Sequence, residues 1–234
     1  MTALGFLYPG HSAEDDYQRI EQLLGSDIRL DLAHTDIGEE LETGSADRLA
    51  AGVEELLLNG PEAVVWASTS GSFLYGWEGA HEQIRALARA AGTPASSTSF
   101  GFVHAVRELG VRKVAIGATY PADVAELFAE FLRAAGIEVT GVHSGGVVTA
   151  AGEWGEGELM SLAQEADEAD AEALLLPDTA LHTASHIETL EKHLTKPVLT
   201  ANQVSVWEAL RLTTRKVNAP SLGTLFTREP VVQV

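Results

Sequence analysis

Short apolar runs alternate with amphipathic stretches of helical period along most of this chain. Strand candidates fall at 3–8, 29–33, 63–67, 113–118, 138–143, 173–176 and 197–199. Between them the recurrence of apolar residues predicts helices over 13–24, 45–59, 79–91, 101–109, 121–135, 157–166, 186–193 and 204–212. Strands separated by helices of this length build βαβ units, and therefore parallel sheets. Gly60, Gly92, Gly110 and Gly136 each stand where a helical pattern stops, the usual place for a left-handed residue.

Two stretches inside this alternation repeat one another. The first is Ala63-Val64-Val65-Trp66-Ala67-Ser68-Thr69-Ser70-Gly71-Ser72-Phe73; the second is Ala173-Leu174-Leu175-Leu176-Pro177-Asp178-Thr179-Ala180-Leu181-His182-Thr183. Each is an apolar run that breaks into small polar residues, with the pairs Ser68-Thr69 and Asp178-Thr179 at the break. A weaker parallel joins 93–98 to 196–202. In both, a proline opens a short strand, small polar residues follow, and an amphipathic helix comes next. The reading is an α/β protein of two pseudo-symmetric lobes, each a parallel sheet flanked by helices. The first lobe comprises 1–98 plus 208–234, and the second 99–207. Ligands of open α/β sheets bind at such strand ends. The two turns are therefore expected to form half-sites facing one cleft, with Ser68 and Asp178 as its chemical centre.

Charge and residue usage exclude several functions. A formal net charge of -19 does not suit a nucleic-acid partner, whose phosphates need clustered Lys and Arg. No apolar run approaches the ~20 residues of a membrane span, so no membrane partner is expected. Residues 1–8 read as a first strand, not a secretory signal, and a cytoplasmic location follows. The absence of cysteine removes disulfides, thiolate metal sites and a thiol nucleophile. No glycine-rich nucleotide loop occurs; Ser144-Gly145-Gly146 follows a strand but lacks the spaced glycines, so no cofactor is expected. His182 and His186 would share one helix face but have no third ligand nearby, and His11 reads as a surface residue. The expected metal content is none.

Three hydroxyls and three backbone N–H groups crowd into Ser68-Thr69-Ser70. Such a turn can wrap a carboxylate or enolate oxygen, or it can cap a helix. Tyr120 precedes Pro121 at a strand end, where a phenol can donate to an oxyanion or pack half-buried. Pro9 opens a third turn on the same rim. Asp178 is either a general acid–base, its pKa raised by burial near an anion, or the N-cap of a following helix. In a helix, His182 would lie one turn away and could partner it. Trp66, Phe73, Tyr75 and Trp77 either line an aromatic pocket or pack the lobe.

The segments Gly5-Phe6-Leu7-Tyr8-Pro9, Ala67 to Phe73, Ala118-Thr119-Tyr120-Pro121-Ala122-Asp123-Val124 and Pro177 to Thr183 resemble, in order along the chain, one known group. It is the maleate cis-trans isomerase and arylmalonate decarboxylase group of the Asp/Glu racemase superfamily. The resemblance implies a cofactor-independent isomerase or lyase with a buried site between two α/β lobes. It would act on a small carboxylate or dicarboxylate through an enediolate-type intermediate in an oxyanion hole. That hole would use Thr69, Ser70 and Tyr120, with backbone N–H groups around Thr179 and Ala180. Relatives of this kind also associate into homo-oligomers. Their paired cysteines align with Ser68 and Asp178, so this chain departs from the group at the residues that define its chemistry. Two expectations follow: an enzyme with acid–base chemistry centred on Asp178, or a catalytically silent carboxylate-binding relative.

Overall fold

Two four-stranded parallel sheets organise the chain in the computed structural model, which describes residues 1–35, 44–146 and 151–227. The first sheet contains β1 (Thr2–Pro9), β2 (Ile28–Thr35), β3 (Ala63–Trp66) and β4 (Ala95–Ser97) in the order β2-β1-β3-β4. The second contains β5 (Lys113–Ala118), β6 (Glu138–Ser144), β7 (Ala173–Leu176) and β8 (Val198–Thr200) in the order β6-β5-β7-β8. Connectivity is thus the same twice over, and β3 and β7 occupy equivalent inner places. Both are buried along their whole length, as parallel strands covered on two faces must be.

The helices of the first half are α1 (Asp15–Leu24), α2 (Ala46–Leu57), the single turn α3 (Ser70–Phe73), α4 (Gly76–Ala91) and α5 (Thr98–Glu108). Those of the second are α6 (Ala122–Ala134), α7 (Glu156–Glu165), α8 (Ile187–Leu194) and α9 (Ala201–Leu212). Gly92 closes α4 at φ 65°, the left-handed conformation expected for a glycine at that end. Among the described residues no helix is long and apolar enough to cross a membrane.

Helices α5 and α9 begin earlier than hydrophobic periodicity indicates. Each starts directly on the residue after its strand, with no loop between. The Ser97 hydroxyl accepts the Phe100 N–H at 3.4 Å to cap α5. Gln203 closes a capping box on α9 by accepting the Thr200 N–H at 3.0 Å. The first-turn residues Thr98, Ser99, Ala201 and Asn202 are mostly polar, so they read as loop, yet all are fully buried. They form a polar seam where α5 and α9 pack together, sealed by the Thr98 and Ser205 hydroxyls 2.6 Å apart. Gly101 allows that approach: a Cβ there would come within 2.8 Å of Val204.

Helix α9 also packs on β3 and β4 of the first sheet, so it ties the two halves together. One apolar cluster runs through both sheets, from Leu4, Phe6 and Val65 to Ile116, Leu175 and Leu199. Smaller clusters fill the outer faces: Val53, Trp66 and Leu87 in the first half, and Leu162, Leu174 and Leu190 in the second.

Candidate active site

Ser68 and Asp178 each lie two residues beyond the last residue of their strand, β3 and β7 respectively. On the first side, the Ser68 hydroxyl accepts the Gly71 N–H at 3.0 Å. The Gly71 carbonyl in turn takes the Trp66 indole N–H at 3.1 Å and the Gln83 amide at 2.7 Å. A side chain at position 71 would meet Ser68 Oγ and Trp66 at 2.8 Å, so the turn requires glycine. This pinned turn starts α3. Thr69 is fully buried, and its carbonyl accepts from Ser99 at 2.8 Å. Its own hydroxyl is buried without a partner. Leaving a buried hydroxyl unpaired costs about 1–3 kcal/mol, so Thr69 Oγ1 gains from any ligand acceptor that reaches it. Ser70 is half-buried beside it.

On the second side both Asp178 oxygens are engaged. The Ala180 N–H donates to Oδ1 at 2.8 Å, and the Thr119 hydroxyl donates to Oδ2. Strand register explains the second contact. β5 and β7 run in step through Ile116 and Leu175, and continuing that step sets Thr119 beside Asp178. The same continuation from Leu7 and Trp66 sets Pro9 beside Ser68, where proline has no hydroxyl or N–H to give. Burial pushes the Asp178 carboxyl above the usual aspartate range, and the two hydrogen bonds pull it part of the way back.

Tyr120 donates its phenol to the Pro177 carbonyl at 3.0 Å, immediately before Asp178. Its ring lies 5.9 Å from that of Phe73, the last residue of α3, so Tyr120 bridges the two half-sites. Tyr8 is buried, accepts the Ala13 N–H at 3.0 Å and donates to the Thr179 carbonyl at 2.8 Å. Its pKa is raised, chiefly by burial and additionally by the charges of Asp16 and Asp178. Pro9 follows it at the end of β1.

Two expectations about the second turn are corrected. No helix follows Asp178; α8 begins only at Ile187, so the carboxylate caps a turn through the Ala180 N–H instead of a helix. With no helix over 178–186, His182 and His186 do not share a face. His182 pairs with Asp15 at 2.7 Å and His186 with Glu156 at 3.6 Å, leaving neither on Asp178. Of the aromatic residues of the first turn, Trp66 and Phe73 are buried and Trp77 packs half-buried against the core. Trp77 sits 5.4 Å from Phe100 and 5.1 Å from Phe131.

Sequence reasoning misses Thr119, Tyr8 and Asn202 as neighbours of the second turn. Asn202 donates to the Thr179 carbonyl at 3.2 Å from the first turn of α9. Thr119 had a readable signal, because aligning the two halves pairs it with Pro9. Tyr8 acts across lobes and Asn202 across 23 residues of its own lobe, which no local pattern encodes. A cavity of about 380 Å³ between α9 and the C-terminal turns, lined by Trp207, Arg211, Arg215 and Phe226, contains none of these residues.

Paired α/β lobes, with a hydroxyl turn and a raised carboxyl at equivalent strand ends, define a two-lobed parallel α/β class of fold. The model of the arylmalonate decarboxylase family matches residues 29–226, and the chain belongs to that family. An arylmalonate decarboxylase of Bordetella bronchiseptica is 34% identical over 146 residues, 60% of this chain. That match spans 61% of the relative's length. The crystal structure of an arylmalonate decarboxylase superposes with a TM-score of 0.80 at 27% identity, covering 96% of this chain and 98% of the other. A maleate isomerase of Pseudomonas putida, solved with maleate, shares the fold with a TM-score of 0.87 at 17% identity, covering 97% of each chain.

Proposed function

We propose that the chain is a cofactor-independent enzyme of small carboxylates, a decarboxylase or isomerase working through an enediolate. The observation that carries this reading is the pairing of a raised carboxyl, Asp178, with a buried, unpartnered hydroxyl, Thr69, at equivalent strand ends. Thr69, Ser70 and Tyr120 would hold one carboxylate of the substrate, with the backbone at Thr179 and Ala180 and the rim at Pro9 completing the pocket. The lobes are taken as 1–98 with 208–234 and 99–207, of which 228–234 lie outside the described residues.

In the decarboxylase form the bond to one carboxylate breaks and carbon dioxide leaves. The electron pair stays on the α-carbon and spreads into the remaining carboxylate as an enediolate. Donors at Thr69 and Ser70 stabilise that charge as it develops, joined by Tyr120 when its phenol turns from the Pro177 carbonyl to the substrate. The protonated Asp178 then delivers its proton to carbon and is recharged from solvent. Ser68, whose oxygen already accepts from Gly71, serves to shape the turn and not as a nucleophile. Isomerisation or racemisation would use the same carboxyl to remove and return a proton.

A specific observation supports a second reading, a binding protein without turnover. Both Asp178 oxygens are occupied by internal donors, Thr119 and Ala180. Maleate, substituted malonates, aspartate and glutamate, tested by thermal shift and by deuterium incorporation at the α-carbon in heavy water, separate the two. Binding with exchange or loss of carbon dioxide is expected; binding with neither establishes the silent relative. Thr69→Ala should weaken the bound carboxylate about tenfold or more, since a hydrogen bond to a charged group contributes about 1.5–3 kcal/mol. Unchanged affinity in calorimetric titration would remove Thr69 from the cradle.

A further inference from the structure

Three potential metal ligands meet on the rim of the first sheet, from parts of the sequence that show no motif. The ligating atoms of His11, Glu14 and His34 all lie within 4.8 Å of one another. Among the described residues this is the one such group of three. His11 and Glu14 come from the turn between β1 and α1, and His34 from the end of β2. Glu14 Oε2 contacts the His34 Nε2 and lies 3.5 Å from the His11 Nδ1. The two imidazoles stack with ring centres 4.1 Å apart.

The frame beneath them is fixed. Parallel register sets Tyr8 beside His34 and Pro9 beside Thr35. Gly10, at φ 69°, turns the chain and donates its N–H to the Thr35 carbonyl at 3.3 Å. The Tyr8 hydroxyl holds the far side of the turn through Ala13 N–H at 3.0 Å. The turn therefore returns His11 and Glu14 over His34. An exposed ion pair alone would contribute little here, of the order of 0–1 kcal/mol.

We propose that His11, Glu14 and His34 form a binding site for a divalent transition ion of the Zn²⁺, Co²⁺ or Ni²⁺ class. Two imidazoles and one carboxylate suit these borderline ions, whereas Mg²⁺ and Ca²⁺ prefer oxygen ligands. Zinc bonds of about 2.0–2.2 Å need donors roughly 3.3–3.5 Å apart in a tetrahedron, a closure that partly exposed side chains can supply. Three protein ligands leave a coordination position open to water or an incoming carboxylate. The net charge of -19 raises the local concentration of cations. The site shares a wall with the candidate active site: the Tyr8 ring lies 6.4 Å from that of His34, and its hydroxyl bonds Thr179.

The inference is independent of the proposed reaction, and its test reads binding alone. Untagged protein is titrated with Co²⁺ and with Zn²⁺ at about physiological ionic strength, which screens diffuse attraction to the acidic surface. One equivalent should bind, with ligand-field bands for Co²⁺ and no displacement by excess Mg²⁺. His34→Ala and His11→Ala should each weaken that equivalent at least tenfold, with circular dichroism confirming the fold; Glu14→Gln should do the same. Stoichiometric binding that survives both histidine substitutions would overturn the assignment, as would displacement by Mg²⁺ or no saturable binding by the parent protein.

Discussion

Asp178→Asn is expected to cut turnover at least a hundredfold while leaving substrate affinity within about tenfold, ~1.4 kcal/mol. The amide is nearly isosteric with the carboxyl, so the pocket keeps its shape and loses the proton that must reach carbon. General acid–base catalysis by a positioned group contributes about 10²–10⁴, which sets the size of the loss. The pH dependence carries the same signature. Asp178 sits above the ordinary aspartate range because it is buried, and as a proton donor it must be protonated. Activity is therefore full below its raised pKa and falls as pH rises through it, a limb that Asp178→Asn abolishes. Stability follows the same sign. A raised folded pKa stabilises below the unfolded value, and that contribution is lost as pH rises through the folded value. Above the folded pKa the charged carboxylate is thus a net cost to folding, and lost activity with an undiminished Tm would separate chemistry from unfolding. Thr119→Val tests the support. Its hydroxyl stabilises the ionised form, so removing it should move the limb to higher pH. A limb that stays in place would make Thr119 merely structural, and normal turnover by Asp178→Asn would exclude the acid–base role.

The doubled architecture was legible because it is written in local terms. The runs 63–66 and 173–176 are apolar on both faces and end in small polar residues, and the structure makes them equivalent inner strands. What escaped the sequence is polar and buried. Thr98, Ser99 and Asn202 are fully buried, yet by type they belong to loops, and the helix starts were misplaced accordingly. Their burial follows from partners far along the chain: Thr98 meets Ser205, and Asn202 meets Asp16. His182 was misread for a related reason. Four-residue spacing implies contact only inside a helix, and the turn at 178–186 is held open by hydrogen bonds from α1 that no local pattern contains. His11, Glu14 and His34 lie together only because β1 and β2 pair in parallel.

The carboxylate that holds that turn should prove the most costly to remove. Asp16 projects from the first turn of α1, is only 2% exposed, and reaches into the opposite lobe. It accepts the Thr183 N–H at 2.9 Å, the Thr183 hydroxyl at 3.2 Å, the Ala184 N–H at 3.1 Å and the Asn202 amide at 3.1 Å. The Thr183 hydroxyl also lies 2.9 Å from that of Thr200, which carries the network to the start of α9. In Asp16→Ala two backbone N–H groups lose their acceptor in a buried setting, each at about 1–3 kcal/mol, and the Asn202 amide keeps only the Thr179 and Leu181 carbonyls. Partial relaxation brings the expected loss to about 4 kcal/mol, a fall in Tm of roughly 8–16 °C for a chain of this size. Asp16→Asn keeps one acceptor but turns a second donor toward Asn202, and should lose about half as much. Because residues 183 and 184 end the turn that begins at Asp178, the loosened turn should also weaken carboxylate binding. Thermal denaturation and ligand titration on the two variants check both effects. A Tm within about 2 °C of the parent for Asp16→Ala would mean that the lobes are held together by the α5–α9 seam and the shared apolar core, and not by this buried carboxylate.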